Sequence, residues 1–201
     1  MLHCILSLAL ALTALPFWGQ GQPTYGVRTD GHKVNSLAAP GTKAIVLFFV
    51  ATDCPISNRT FPEMKRLREE FESRGVRFWF VYPNTGEQPA QVAQHQAAYD
   101  AAGEVVLDTS GKLVEISGAR VTPEISVLVP DGTAGWRAVY TGRIDDRYIR
   151  IGEERPHATT HFAERALNAV LSGGHVEPAT GVPVGCGIMS QKESSARSLT
   201  R

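Results

Sequence analysis

Ala44-Ile45-Val46-Leu47-Phe48-Phe49-Val50 is an unbroken apolar run rich in β-formers, and it breaks off at Thr52-Asp53-Cys54-Pro55. A strand with no polar side must be covered on both faces, which demands further layers above and below it. The next segment has the helical period. Met64, Leu67 and Phe71 recur at spacings of three and four with charges between them, and Gly75 supplies a stop. The chain thus passes from a buried strand directly into a helix, and the junction contains a thiol.

The rest of the chain supplies the missing layers. Residues 76–82 are a second apolar run, and residues 89–102 read as a helix that begins at a proline and stops before Gly103. Residues 104–107 suit a short strand ahead of the Asp108-Thr109-Ser110-Gly111 turn, and residues 125–129 and 136–141 flank Asp131-Gly132 as a hairpin. Residues 161–172 place Phe162, Ala166, Val170 and Leu171 on one helical face before Gly173-Gly174. This order predicts an α/β fold, a three-layer sandwich around a central mixed sheet. With 201 residues the chain suits one domain and its ends.

Composition removes several classes of function. Twenty Lys+Arg balance twenty Asp+Glu, so neither disorder through charge excess nor a basic nucleic-acid binder is indicated, and no nucleic-acid partner is expected. The three cysteines, at 4, 54 and 186, are too few for a multi-disulfide scaffold or a four-thiolate zinc site.

No charged side chain precedes Arg28, and residues 5–15 are almost continuously apolar before Pro16 and Gly19-Gln20-Gly21-Gln22. That is the shape of a secretory signal, expected here over residues 1–21, and it is about half the roughly 20 residues a bilayer span needs. The expectation is export to a periplasmic or extracellular compartment, with membrane attachment only if this segment is retained. Cys4 would leave with the signal, so the mature chain would hold Cys54 and Cys186 where disulfides persist.

Cys54-Pro55-Ile56-Ser57 sets the thiol where the strand ends and the helix starts, with Pro55 suited to the first helical position. Free backbone N–H groups and the positive end of the helix dipole favour the thiolate, which is the nucleophile of exchange chemistry. Asp53 is an adverse neighbour, Arg59 an offset, and Ser57 a hydrogen-bond donor one turn on.

These residues, with Pro62 in the helix and Val121-Thr122-Pro123 ahead of another apolar run, resemble the thioredoxin superfamily. More narrowly, Phe48 to Pro55, Thr122-Pro123-Glu124 and Gly142-Arg143-Ile144-Asp145-Asp146 are similar to exported bacterial redoxins of the alkyl-hydroperoxide-reductase/thiol-specific-antioxidant type. The resemblance spans residues 26–172 and extends loosely to the Gly185-Cys186 segment. It implies a thioredoxin-like fold, Cys54 as the attacking thiol, and a cis Pro123 that forms with Thr122 a substrate-facing wall beside it. Two departures qualify what is implied. Ser57 stands where thioredoxins carry a second cysteine, so no disulfide can form inside the motif. Ala51 and Leu47 stand where peroxiredoxins carry a hydroxyl residue and a proline, which argues against peroxidase chemistry.

A lone nucleophile still cycles if another thiol resolves its mixed disulfide. Cys186, in the glycine-rich segment of residues 173–190, is the sole internal candidate; its rival reading is an inert turn residue. The leading expectation is an exported thiol oxidoreductase that needs no cofactor or metal. It would act on a thiol or disulfide of a protein or small molecule and draw on an external reductant. Its rivals are a one-cysteine peroxide reductase, a copper-binding chaperone in which both cysteines and a histidine converge, and a catalytically silent interaction module. His157 and His161 read as solvated rather than metal-ligating, Asp145-Asp146 as a turn, and Asn58-Arg59-Thr60 as part of the helix rather than a glycosylation site. Residues 191–201, polar and Ser-rich, are expected to be a disordered tail.

Overall fold

The computed structural model describes residues 24–101, 103–132 and 135–189. The expected signal (1–21) and tail (191–201) lie outside the described residues.

The apolar run forms β1 (Ala44–Phe49), every residue of which is inaccessible to solvent. Its alternation sorts side chains into two cores, as the strand period of two requires. Ala44, Val46 and Phe48 face one cluster, while Ile45, Leu47 and Phe49 face the other. β2 (Val76–Tyr82) and β3 (Glu104–Leu107) extend the sheet in parallel on one side. On the other side β5 (Glu124–Pro130) and β6 (Trp136–Gly142), numbered past the two-residue β4 (Val121–Thr122), run antiparallel. The sheet order is β3-β2-β1-β5-β6, a mixed sheet as expected.

Helices α1 (Pro55–Phe71), α2 (Pro89–Ala98) and a closing helix over residues 162–172 all feed the first core. From α1 that core receives Phe61, Met64, Leu67 and Phe71, each worth about 1.5–3 kcal/mol of burial. Residues 72–74 add one tighter turn, which ends at Gly75, whose φ of 94° is a conformation that suits glycine. The second core is closed by Val34 and Leu37 of the N-terminal segment and by α3 (Lys112–Ser117). The indole N–H of Trp79 donates to the Leu37 carbonyl at 2.8 Å and ties that segment down.

Two elements differ from the sequence reading. α2 stops at Ala98 instead of running to 102, because the chain reverses at Asp100 (φ 48°) and turns Ala101 into the core. α3 is additional; six residues between two left-handed glycines are too few to show a period, and the Asp108 carboxylate starts them by accepting the Val114 N–H at 3.0 Å. Beyond β6 the chain forms the small ribbon β7 (Tyr148–Arg150) and β8 (Glu153–Glu154), then α4 (Phe162–Ser172), and ends in β9 (Cys186–Gly187).

Candidate functional site

Cys54 is the N-cap of α1, in extended conformation, with Pro55 at the first helical position. Its sulfur lies 3.0 Å from the Thr122 carbonyl oxygen, and the Thr122–Pro123 bond is cis. Three segments remote in sequence therefore meet at one sulfur. The third is β9, which pairs antiparallel with β4 so that Cys186 stands opposite Thr122 and Gly187 opposite Val121. Ile188 N–H adds a bond to the Arg120 carbonyl at 2.9 Å. The result is that Cys186 Sγ lies 2.6 Å from Cys54 Sγ, although the two residues are 132 positions apart. Both are free thiols.

Gly185 makes this approach possible. A Cβ at that position would sit 2.2 Å from the Thr122 carbonyl oxygen and 3.1 Å from Pro123 N. Glu124 holds the other side: its buried carboxylate accepts the N–H groups of Arg120 at 2.7 Å and Val121 at 3.2 Å, fixing the turn that leads into β4.

Burial departs from the sequence reading. Cys54, read as a reachable sulfur, is 0% exposed, and Thr122 and Pro123, read as a substrate-facing wall, are buried with it. The cause is β9, which covers the cis-proline segment. Cys186 is the sulfur that keeps partial exposure, and it borders a cavity of about 310 Å³ lined by Pro55, Ile56, Arg59, Tyr148 and Ile151 among others.

The two thiols differ in acidity. Burial on its own would push Cys54 up, but the thiol of Cys186, the Ser57 backbone N–H and the side chains of Thr122 and Ser57 all favour its anion and hold it below the ordinary value. Cys186 is pushed up to about 12 by burial, by its bond to Cys54, and by the charges of Cys54 and Asp53. Of the two sulfurs Cys54 is therefore the more acidic and Cys186 the more basic. A depressed Cys54 adds stability to the reduced protein as pH rises from its folded value to the ordinary 9.0, and a raised Cys186 removes stability between 9.0 and about 12. Urea denaturation of the reduced protein, relative to a Cys54→Ser/Cys186→Ser double variant, is expected to show a stability maximum near pH 9. A difference independent of pH would contradict this assignment.

The other singled-out residues take distinct places. Ser57 Oγ is buried with no hydrogen-bond partner other than this sulfur site. Asp53 is exposed, and Arg59 turns its guanidinium to Glu154, at 3.7 Å, instead of serving as an offset beside the thiol. His157 and His161 share no helical face, since α4 starts after His161, and His161 Nδ1 lies 3.3 Å from Glu63. Asp146 is a clamp rather than a solvated turn: it accepts the Thr159 and Thr160 N–H groups at 2.7 and 2.9 Å and the Thr159 hydroxyl at 2.6 Å. Among the described residues no group of three or more His, Cys, Asp or Glu gathers as metal ligands, so the convergence that the copper reading requires does not occur there.

Two supports escape the linear pattern. Glu87 Oε1 accepts the Thr52 N–H at 2.7 Å, bracing the loop before Cys54, and burial pushes its carboxyl up. His95 bridges Tyr82 and Asn58 at 2.8 Å each, joining α2 to the first turns of α1. No local pattern marks Glu87 in its loop, while the heteroatoms of Asn58 and His95 meet only in the fold.

A family model described as Redoxin matches residues 18–142, a span that includes Cys54 and Pro123 and ends before Cys186. No curated protein matches the sequence. A hypothetical protein from Sinorhizobium meliloti 1021 is similar in structure, with TM-score 0.67 and 21% identity over 82% of this chain and 89% of that one. An uncharacterized conserved protein from Geobacillus kaustophilus gives TM-score 0.65 and 22% identity over 86% and 92%. A thioredoxin-like protein from Aeropyrum pernix gives TM-score 0.50 and 20% identity over 75% and 89%. These likenesses are of fold.

Proposed function

Since the chain belongs to the Redoxin family and has a thioredoxin-like fold, we propose that it is an exported thiol–disulfide oxidoreductase whose redox couple is Cys54 and Cys186. The observation that carries this reading is the 2.6 Å contact between the two sulfurs, brought about by the pairing of β9 with β4. An S–S bond of about 2.05 Å needs little further travel from there. Ser57 has removed the resolving thiol from the helix, and Cys186 replaces it from the opposite side of the site.

In this reading the bridge accepts two electrons from a dithiol, or the reduced pair passes them to a substrate disulfide, and no bound cofactor takes part. Cys54 is the sulfur that best bears negative charge in each half-reaction. The apolar stretch over residues 5–15 and the pair of thiols left after its removal support a compartment where disulfides persist.

Equilibration in glutathione buffers of graded poise, followed by alkylation and mass mapping, tests the couple. The expected result is a reversible intramolecular 54–186 bridge with one midpoint potential. Failure to form that bridge at any poise would remove the proposal.

A further inference from the structure

The two sulfurs are unequal in access, and the inequality assigns them an order. This rests on the Cys54–Cys186 couple proposed above. Cys54 is 0% exposed beneath β9, while Cys186 is partly open and borders the cavity lined by Pro55, Ile56 and Tyr148. In the helix-start arrangement read from the sequence, the sulfur at the motif receives the partner. Here β9 covers that sulfur and presents its own. We propose that a dithiol reducing the bridge attacks at Cys186, so that the mixed disulfide forms there and Cys54 is the leaving group.

Atoms and electrons balance in two steps. One thiolate of the reductant forms a bond to Cys186 Sγ, and the Sγ–Sγ bond to Cys54 breaks, its electron pair remaining on Cys54 as a thiolate. The reductant's second thiol loses its proton and attacks its own first sulfur in the mixed disulfide. Cys186 leaves with that electron pair and takes up the proton. The reductant ends as a disulfide, two electrons having passed to the protein. Exchange is fastest when the departing thiol has the lower pKa. Ser57 N–H and the side chains around Cys54 favour its anion, while Cys186 is the more basic sulfur. Access and leaving-group quality therefore point the same way. Attack at Cys54 would require β9 to lift from β4 and would expel the poorer leaving group.

The test uses the oxidised full chain and 2-mercaptoethanol, a monothiol that cannot close a disulfide on itself, so that the first mixed disulfide can be trapped before a second molecule releases it. The bridge is first verified by mass. The protein is then exposed briefly to excess 2-mercaptoethanol, quenched in acid, alkylated and mapped. The expected result is the adduct on Cys186 with alkylated Cys54, in at least tenfold excess over the reverse. Adduct on Cys54, or an equal distribution, overturns the assignment while leaving the couple intact. Absence of the bridge at the first step overturns the couple and the assignment with it.

Discussion

Cys54→Ser is expected to eliminate disulfide exchange by this protein, with turnover on a dithiol and disulfide pair falling at least about 10³-fold, towards the uncatalysed rate. The advantage being lost is that of an oriented intramolecular reaction, whose effective molarities far exceed any free thiol concentration. The same substitution leaves the fold almost untouched. A serine hydroxyl at this position can donate to the Thr122 carbonyl, which now lies 3.0 Å from the sulfur, and the side chain remains similar in size. Stability should change by about 1 kcal/mol. Cys186→Ala separates the roles: it removes the thiol that lies 2.6 Å from Cys54 Sγ and leaves the pairing of β9 with β4 in place. Slow stoichiometric capture of a small disulfide at Cys54, limited by the lifting of β9, is then expected without release of product, because no second sulfur resolves it. Steady-state turnover and mass-mapped adducts check both variants; full turnover by Cys54→Ser would show that the reaction runs through another group.

The contrast between these two cysteines shows which features a linear reading captures. The strand-to-helix junction was legible because the apolar run of β1 and the 64-67-71 spacing of α1 are local patterns, each set by its own period. The hairpin of β5 and β6 was legible from its turn and flanking runs. What could not be read was how three distant segments meet. β4 and β9 have two residues each, too few for alternation to appear, and their pairing joins Thr122 to Cys186, 64 positions away. The burial of Cys54 arises from that pairing, as does the exposure of Cys186. Thr122 and Pro123 were found through resemblance, but their covering by β9 arises from the C-terminal segment, which the Redoxin match does not reach. Glu87 and His95 belong to the same class: a buried carboxylate that holds one backbone N–H and an imidazole that joins two helices leave no trace in spacing.

Gly185→Ala is expected to uncouple the two sulfurs without removing either. The added Cβ would lie 2.2 Å from the Thr122 carbonyl oxygen and 2.7 Å from the Thr122 carbonyl carbon, contacts with backbone that no rotamer change relieves. Gly185 is not among the glycines with positive φ, so the effect is steric and not a matter of conformational preference. β9 must retreat by about 1 Å to restore ordinary contact distances, and Cys186 moves with it. Overpacking of this kind costs about 1–3 kcal/mol, all of it opposing the geometry in which the bridge forms. The equilibrium constant for the bridge should therefore fall roughly tenfold to a hundredfold, raising the midpoint potential by about 30–60 mV. Gly187→Ala is the internal control: it alters the same strand, yet its Cβ would meet nothing within 4 Å, and the potential should not move. Redox titration of the three proteins side by side reads the difference directly. Equal midpoints for Gly185→Ala and the parent chain would mean that close approach of β9 to the Thr122–Pro123 bond does not govern the couple.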